Sequence, residues 1–122
     1  MDYLIEYDTE NEIVRVTVQG EIDVEGAIAI MLKAVAFGRE KGCNRFLFDQ
    51  RQSHANVIFF KHFKMMANLQ RLGLKRTDRA VALVARQMGI HAFAETVAVN
   101  RGWQVKLITD DDEAIKWLLK KI

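Results

Sequence analysis

The chain has 122 residues, 50% of them hydrophobic and 28% charged, with a net charge of +2, a single cysteine and no proline. That size fits one α/β domain over residues 1–122, whose core can stand without disulfides or metals, and the lack of proline excludes Pro-rich linkers. No apolar stretch reaches ~18 residues and no basic segment precedes an apolar run at the start, so neither a membrane span nor a cleaved leader is expected; the lone Cys43 fits a reducing cytoplasm.

Along the chain the charge is uneven. Residues 1–25 carry eight acids against Arg15 alone, whereas residues 26–109 carry fourteen Lys or Arg against Glu40, Asp49, Asp78 and Glu95. No Lys/Arg run exceeds two residues, and the Phe and Trp residues fall at core periods rather than between bases. Solvated charged faces are therefore expected, not a nucleic-acid surface.

Residues 3–5 and 13–18 read as two strands. In the second, Val14, Val16 and Val18 alternate with Arg15 and Thr17, and the turn residues Asp8-Thr9-Glu10-Asn11 make the pair a hairpin. From Asp23 the period becomes helical through Val24, Ala27, Ile28, Met31 and Val35, with Gly42 as the stop. A short buried strand follows over 44–49, then a second helix over 57–72 closed by Gly73. A near-continuous apolar strand over 79–85 precedes a third helix carrying Ile90, Phe93, Ala94, Val97 and Ala98 and stopped by Gly102. A fifth strand spans 103–108. The last helix starts at Thr109, whose spacing to Asp112 suits a capping box, and its acids oppose the positive helix N-terminus. Strands alternating with helices predict a mixed five-stranded sheet with an N-terminal hairpin, parallel pairing beyond it, and about four helices packed on the sheet.

Three stretches carry a resemblance: Arg79-x-Ala-Val-Ala-Leu-Val, Phe93-x-Glu95-Thr96-Val97-x-x-Asn100-Arg101-Gly102, and Val105-x-Leu-Ile-Thr109-Asp110-x-x-x-Ala114-Ile115-x-Trp117-Leu118. Together they resemble the SpoIIAA-like family, within the STAS class of sulfate-transporter and anti-sigma-antagonist domains and linked to lipid-binding Sec14-type domains. The resemblance implies a non-enzymatic regulatory or ligand- and protein-binding module in the cytoplasm, with a lipid or other apolar-ligand carrier as the alternative. Anti-sigma antagonists carry a phosphorylatable Ser in an Asp-Ser-Ser/Thr-Gly type motif that opens the second helix. Here the corresponding segment is Asp49-Gln50-Arg51-Gln52-Ser53-His54-Ala55-Asn56. Ser53, the only serine, is the candidate phosphoacceptor, yet His54 stands where the motif has Gly and no Asp directly precedes it. A module without the phospho-switch is expected, with Ser53 or Asn56 capping the helix.

No phosphate-binding glycine motif, Gly-x-Ser-x-Gly, Cys-x-x-Cys or His-Glu-x-x-His occurs, and no cofactor or metal is expected. Cys43 has no neighbouring base and reads as a packing residue. Ligands of open α/β sheets bind beyond the carboxyl ends of the strands. That rule gathers Asp49, Arg51 and Ser53 with Arg86, Gln87 and His91 into a candidate edge for an anion or small ligand, the alternative being an Asp49–Arg pair across the loops. The second helix is apolar over far more than the ~100–140° that covers a sheet, with only a narrow stripe of Lys61, Lys64, Asn68 and Arg71. Its positions Ile58, His62, Met65, Leu69 and Leu72 are accordingly candidates for an apolar ligand groove or a homodimer seam, the alternative being burial by neighbouring helices.

Overall fold

The computed structural model describes residues 2–55, 69–86 and 89–120. Strand β1 (Asp2–Asp8) and β2 (Ile13–Ile22) form the hairpin, followed by helix α1 (Val24–Glu40) and β3 (Arg45–Ala55). A short 3₁₀ turn (Leu69–Leu72), β4 (Arg79–Leu83), α2 (Gly89–Asn100), β5 (Gln104–Ile108) and α3 (Asp111–Leu119) complete the order. The five strands lie in the sheet in sequence order, β1 antiparallel to β2 and every later pair parallel. The expected mixed sheet and hairpin are thus present.

Sequential parallel strands constrain where the helices go. Parallel crossovers are right-handed as a rule, and with strands in sequence order that hand delivers successive connections to one face. Val14, Val16, Val18, Phe46 and Phe48 on that face pack with Ile30, Ala34 and Val35 of α1, Leu69 and Leu72 of the 3₁₀ turn, and Ala98 of α2. Among the described residues α3, which follows the last strand, covers the other face. There Ala114 and Leu118 meet Ile13, Leu47, Val81, Leu83 and Ile108. Phe46 and Leu47 are fully buried on opposite faces, and each side chain of that size contributes ~1.5–3 kcal/mol through removal from water. The close approach of α1 to the sheet depends on Gly38, where a Cβ would lie 2.7 Å from the Phe46 ring.

The starts of α1 and α3 have a chemical cause. Asp23 accepts a hydrogen bond from Gly26 N (2.7 Å) to cap α1, and Gly42, at φ 65°, ends the chain's helical course before Cys43 N closes onto Gly38 O. Cys43 is buried, with Sγ directed to the carbonyls of Glu12 and Arg45. For α3 the cap is Asp110, whose carboxylate accepts from Glu113 N (3.0 Å), rather than the expected Thr109. A carboxylate one residue later satisfies the same orphan donors and adds charge against the helix dipole. The buried Asp78 is engaged by Arg39 (2.5 and 2.9 Å) and by Lys75 N (2.7 Å), which ties the loop before β4 to α1.

Two strands run longer than their apolar residues suggest. β2 continues to Ile22 and β3 to Ala55, paired in register from Gln19↔Gln52 to Ile22↔Ala55. Backbone pairing along a neighbour extends them where side-chain periodicity fades. Between Thr17↔Asp49 and Gln19↔Gln52 the third strand holds one extra residue, a β-bulge. The fourth strand ends earlier than expected, at Leu83 opposite Asp49. The body of the expected second helix, including Ile58, His62 and Met65, lies outside the described residues, as do Asn56 and Gln87.

Candidate functional site

Asp49 projects from β3 onto the face that α3 covers. Arg15, from the same face of β2, reaches it at 3.3 Å and simultaneously makes a two-bond contact with Asp111 at the start of α3 (3.0 and 2.9 Å). The bulge after Asp49 turns Arg51 back onto the same carboxylate. Its backbone N (3.2 Å), Nε (3.0 Å) and Nη2 (2.8 Å) all donate to Asp49, and Nη2 lies 3.7 Å from Asp111. Asp49 is only 7% exposed, while Arg15, Arg51 and Asp111 are partly open to solvent, and the two carboxylates and two guanidiniums form a mutually neutralised cluster. Forked arginine–carboxylate bonds of this kind give fixed geometry. The arginines remain charged, since hydrogen bonding to Asp111 and Asp49 raises both above their ordinary value. Neither carboxylate of this cluster is left without cationic partners as an obvious general base.

Of the residues expected at the strand ends, Asp49 and Arg51 meet, while Gln87 and the side chain of His91 lie outside what the structure describes. Ser53 is not in a loop capping a helix: it lies within β3 opposite Gly20, and its hydroxyl donates to the carbonyl of Gln50 (2.9 Å). The strand's extension past Asp49 displaces the expected helix entry from Ser53. Arg86 is exposed three residues beyond the end of β4, and His91 belongs to α2. Leu69 and Leu72, at 1% and 6% exposure, are packed in the core with α1, which removes them from any exposed seam. Their apolar character is spent on α1 and the sheet. Arg15 and Asp111 were missed because they are remote in sequence. A signal existed, since strand alternation puts Arg15 and Asp49 on one face, and Arg15 is the single base in an acidic segment.

A second feature lies at the free edge of β5. A cleft of about 730 Å³ runs between α2 and the C-terminal end of α3, lined by Val99, Trp103, Val105 and Trp117 together with Arg79, Lys106, Lys120 and Glu95. Arg79 caps α3 by donating to the carbonyls of Trp117 (3.2 Å), Leu118 (3.3 Å) and Lys120. Among the described residues no group of three or more His, Cys, Asp or Glu is arranged to hold a metal ion, and no helix is long and apolar enough to cross a membrane.

No protein-family model and no curated protein matches the chain. Solved structures do. One is an uncharacterised protein of the DUF3478 family with a SpoIIAA-like fold from Shewanella loihica PV-4, at 16% identity over 96% of this chain and 92% of that one, with a TM-score of 0.57. Another is the anti-sigma factor antagonist SpoIIAA in its unphosphorylated form, at 15% identity over 94% and 96% of the two chains and a TM-score of 0.51. Identities this low, over nearly whole chains, speak to architecture, and on that ground the chain has a SpoIIAA-like fold.

Proposed function

We propose that this domain is a non-catalytic regulatory module that binds another protein and operates without a phospho-switch at Ser53. Its likeness in fold to an anti-sigma factor antagonist supports the choice of a protein partner. The observation that carries the reading is the position of Ser53 inside a paired strand, with its hydroxyl already bonded to Gln50. A switch serine works by exchanging a small neutral group for about two negative charges at an accessible turn. Held in β3, Ser53 instead serves the local backbone. The neighbouring Asp49 is equally committed, its oxygens engaged by Arg15 and Arg51.

Calorimetric titration of the partner recovered with the full chain tests this. Ser53→Ala and Ser53→Asp should both bind within about twofold of wild type, a difference well under the 1.4 kcal/mol that marks a tenfold change. A selective loss of tenfold or more in Ser53→Asp, with Ser53→Ala unaffected, would overturn the reading.

A further inference from the structure

The first residues of β3, β4 and β5 stand side by side. Arg45 pairs with Arg79 and Arg79 with Gln104, and strand alternation puts all three on the face of Leu47, Val81 and Ile108, which α3 covers. Between this row and the last turn of α3 lies a cleft of about 310 Å³. Its charged side chains are Arg45, Arg79 and Lys120, and no acid among the described residues lines it.

These cations are only partly engaged. Arg79 gives Nη1 to the carbonyls that end α3, while its Nε and Nη2 have no partner among the described residues. Arg45 donates from Nη1 to Asn11 O at 3.3 Å and reaches the exposed Glu12 only at 3.9 Å. Lys120 bonds through its backbone, N–H to Trp117 O and carbonyl to Arg79, and its ammonium has no partner among the described residues. Asp49, further along β3, sits in a cluster whose charges cancel, whereas here three like charges face one space and favour an anion in it.

Arg79, Gln104 and Lys120 also line the 730 Å³ cleft between α2 and α3, so the two spaces adjoin. Both tryptophans of the chain stand on that outer cleft, with Val99, which is half exposed. Trp103 is 4% exposed and its buried Nε1–H meets no acceptor in the structure. A buried donor left in that state calls for a water, an ion or a ligand. Lys106 and Glu95 offset each other at 3.7 Å, so beyond the shared cations the outer cleft is neutral. Its apolar lining suits a planar ring, and the polar Thr96 and Asn100 interrupt any longer path for an acyl chain.

We infer that the amino ends of β3, β4 and β5 bind a small soluble aromatic phosphate monoester, its phosphate among Arg45, Arg79 and Lys120 and its ring against Trp117 and Val99. A phosphate monoester brings about two negative charges and acceptor oxygens that match guanidinium forks. The site works through side chains and asks nothing of the peptide groups of β5. It is separate from Ser53 and goes beyond the protein-binding reading.

The test titrates the full chain, isotopically labelled, with phenyl phosphate. The indole N–H signals of Trp103 and Trp117 and the amide signal of Gln104 should shift. Inorganic phosphate, which lacks the ring, and phenol, which lacks the charge, should each bind about tenfold more weakly or worse. Lys120→Glu should weaken phenyl phosphate by about tenfold or more with an unchanged circular dichroism spectrum, and Val99→Glu should do the same from the ring side. The chain should not sediment with phosphatidic acid vesicles, which carry the same phosphate on a lipid. Failure of phenyl phosphate to bind, equal binding of inorganic phosphate, shifts at Arg51 in place of the indole signals, indifference to Lys120→Glu, or sedimentation with the vesicles would each overturn the proposal. The Ser53 titrations read a protein partner, so failure here is distinct from failure of the module reading.

Discussion

Burial pushes the Asp49 carboxyl up, but hydrogen bonds from the Arg51 side chain and backbone and the charges of Arg51 and Arg15 outweigh it and hold the group below the ordinary carboxylate value. A carboxyl with a lowered folded value binds its proton first in the unfolded chain. Its stabilisation is therefore complete above the unfolded value and is lost as the pH falls through the folded one, a window below about pH 4. Asp8 is shifted the same way, chiefly by hydrogen bonds from Asn11, but it lies at the surface and screening leaves it little weight. Replacing Asp49 by Asn leaves two guanidiniums facing a neutral amide. The variant should lose about 1–3 kcal/mol at pH 7, seen as a lower urea midpoint. The gap to wild type should close as the pH falls below about 4 and wild-type Asp49 is protonated. A gap that stays constant across that range would show that the side chain's shape, not its charge, holds the cluster.

At the scale of elements, α3 gives the sharpest contrast between neighbouring residues. Asp110 accepts from Glu113 N, while Thr109 precedes the cap. Asp110→Ala should cost about 1 kcal/mol in thermal or urea unfolding, and Thr109→Ala only a few tenths. Equal losses, or the reverse order, would return the cap to Thr109. The episode shows what patterns of residues can convey. Strand and helix identity was legible where apolar spacing was clear: Val14-Val16-Val18 on a two-residue period, and Val24, Ala27, Ile28, Met31 and Val35 on a helical one. Element ends were less so. The extension of β3 through polar Gln50 to His54 is driven by main-chain bonds to β2, which leave no mark on side-chain periodicity. The ion cluster was half legible for a related reason. Asp49 and Arg51 are neighbours in sequence, but Asp111 arrives only because α3 packs across β3 and β4, a tertiary fact. Leu69 and Leu72 show the converse: two apolar positions of the candidate docking face are core packed with α1.

For the molecule as a whole, the sheet is wide at one end and narrow at the other. Phe46 to Asp49 of β3 are flanked by β2 and β4, and both faces there are covered by α1 and α3. The fourth strand ends at Leu83, and among the described residues the pairing of β2 with β3 from Gln19 to Ile22 forms a two-stranded tongue. Local opening tracks such differences in packing. Hydrogen exchange should accordingly be slowest at Phe46, Leu47 and Phe48 and at least about tenfold faster at Gln52 to Ala55, reflecting the thinner support of the tongue. Uniform protection along the whole strand would mean that the tongue is braced by contacts beyond its two strands. Ion-pair energetics, cap strength and exchange rates thus report on separate parts of one sheet.

The extra residue after Asp49 has a consequence for how the chain tolerates change in length. Elsewhere in β3, adding or removing one residue inverts every side chain beyond it, exchanging core for solvent. At the bulge the arithmetic runs the other way. With Gln50 deleted, Asp49 still sits opposite Thr17 and Gln52 opposite Gln19, with Arg51 now filling the single place between them. The strand therefore holds one residue of slack that the sheet itself does not require. What that slack provides is the reversal of Arg51 onto Asp49, so the ion cluster is the part of the domain that gives the spare residue its use.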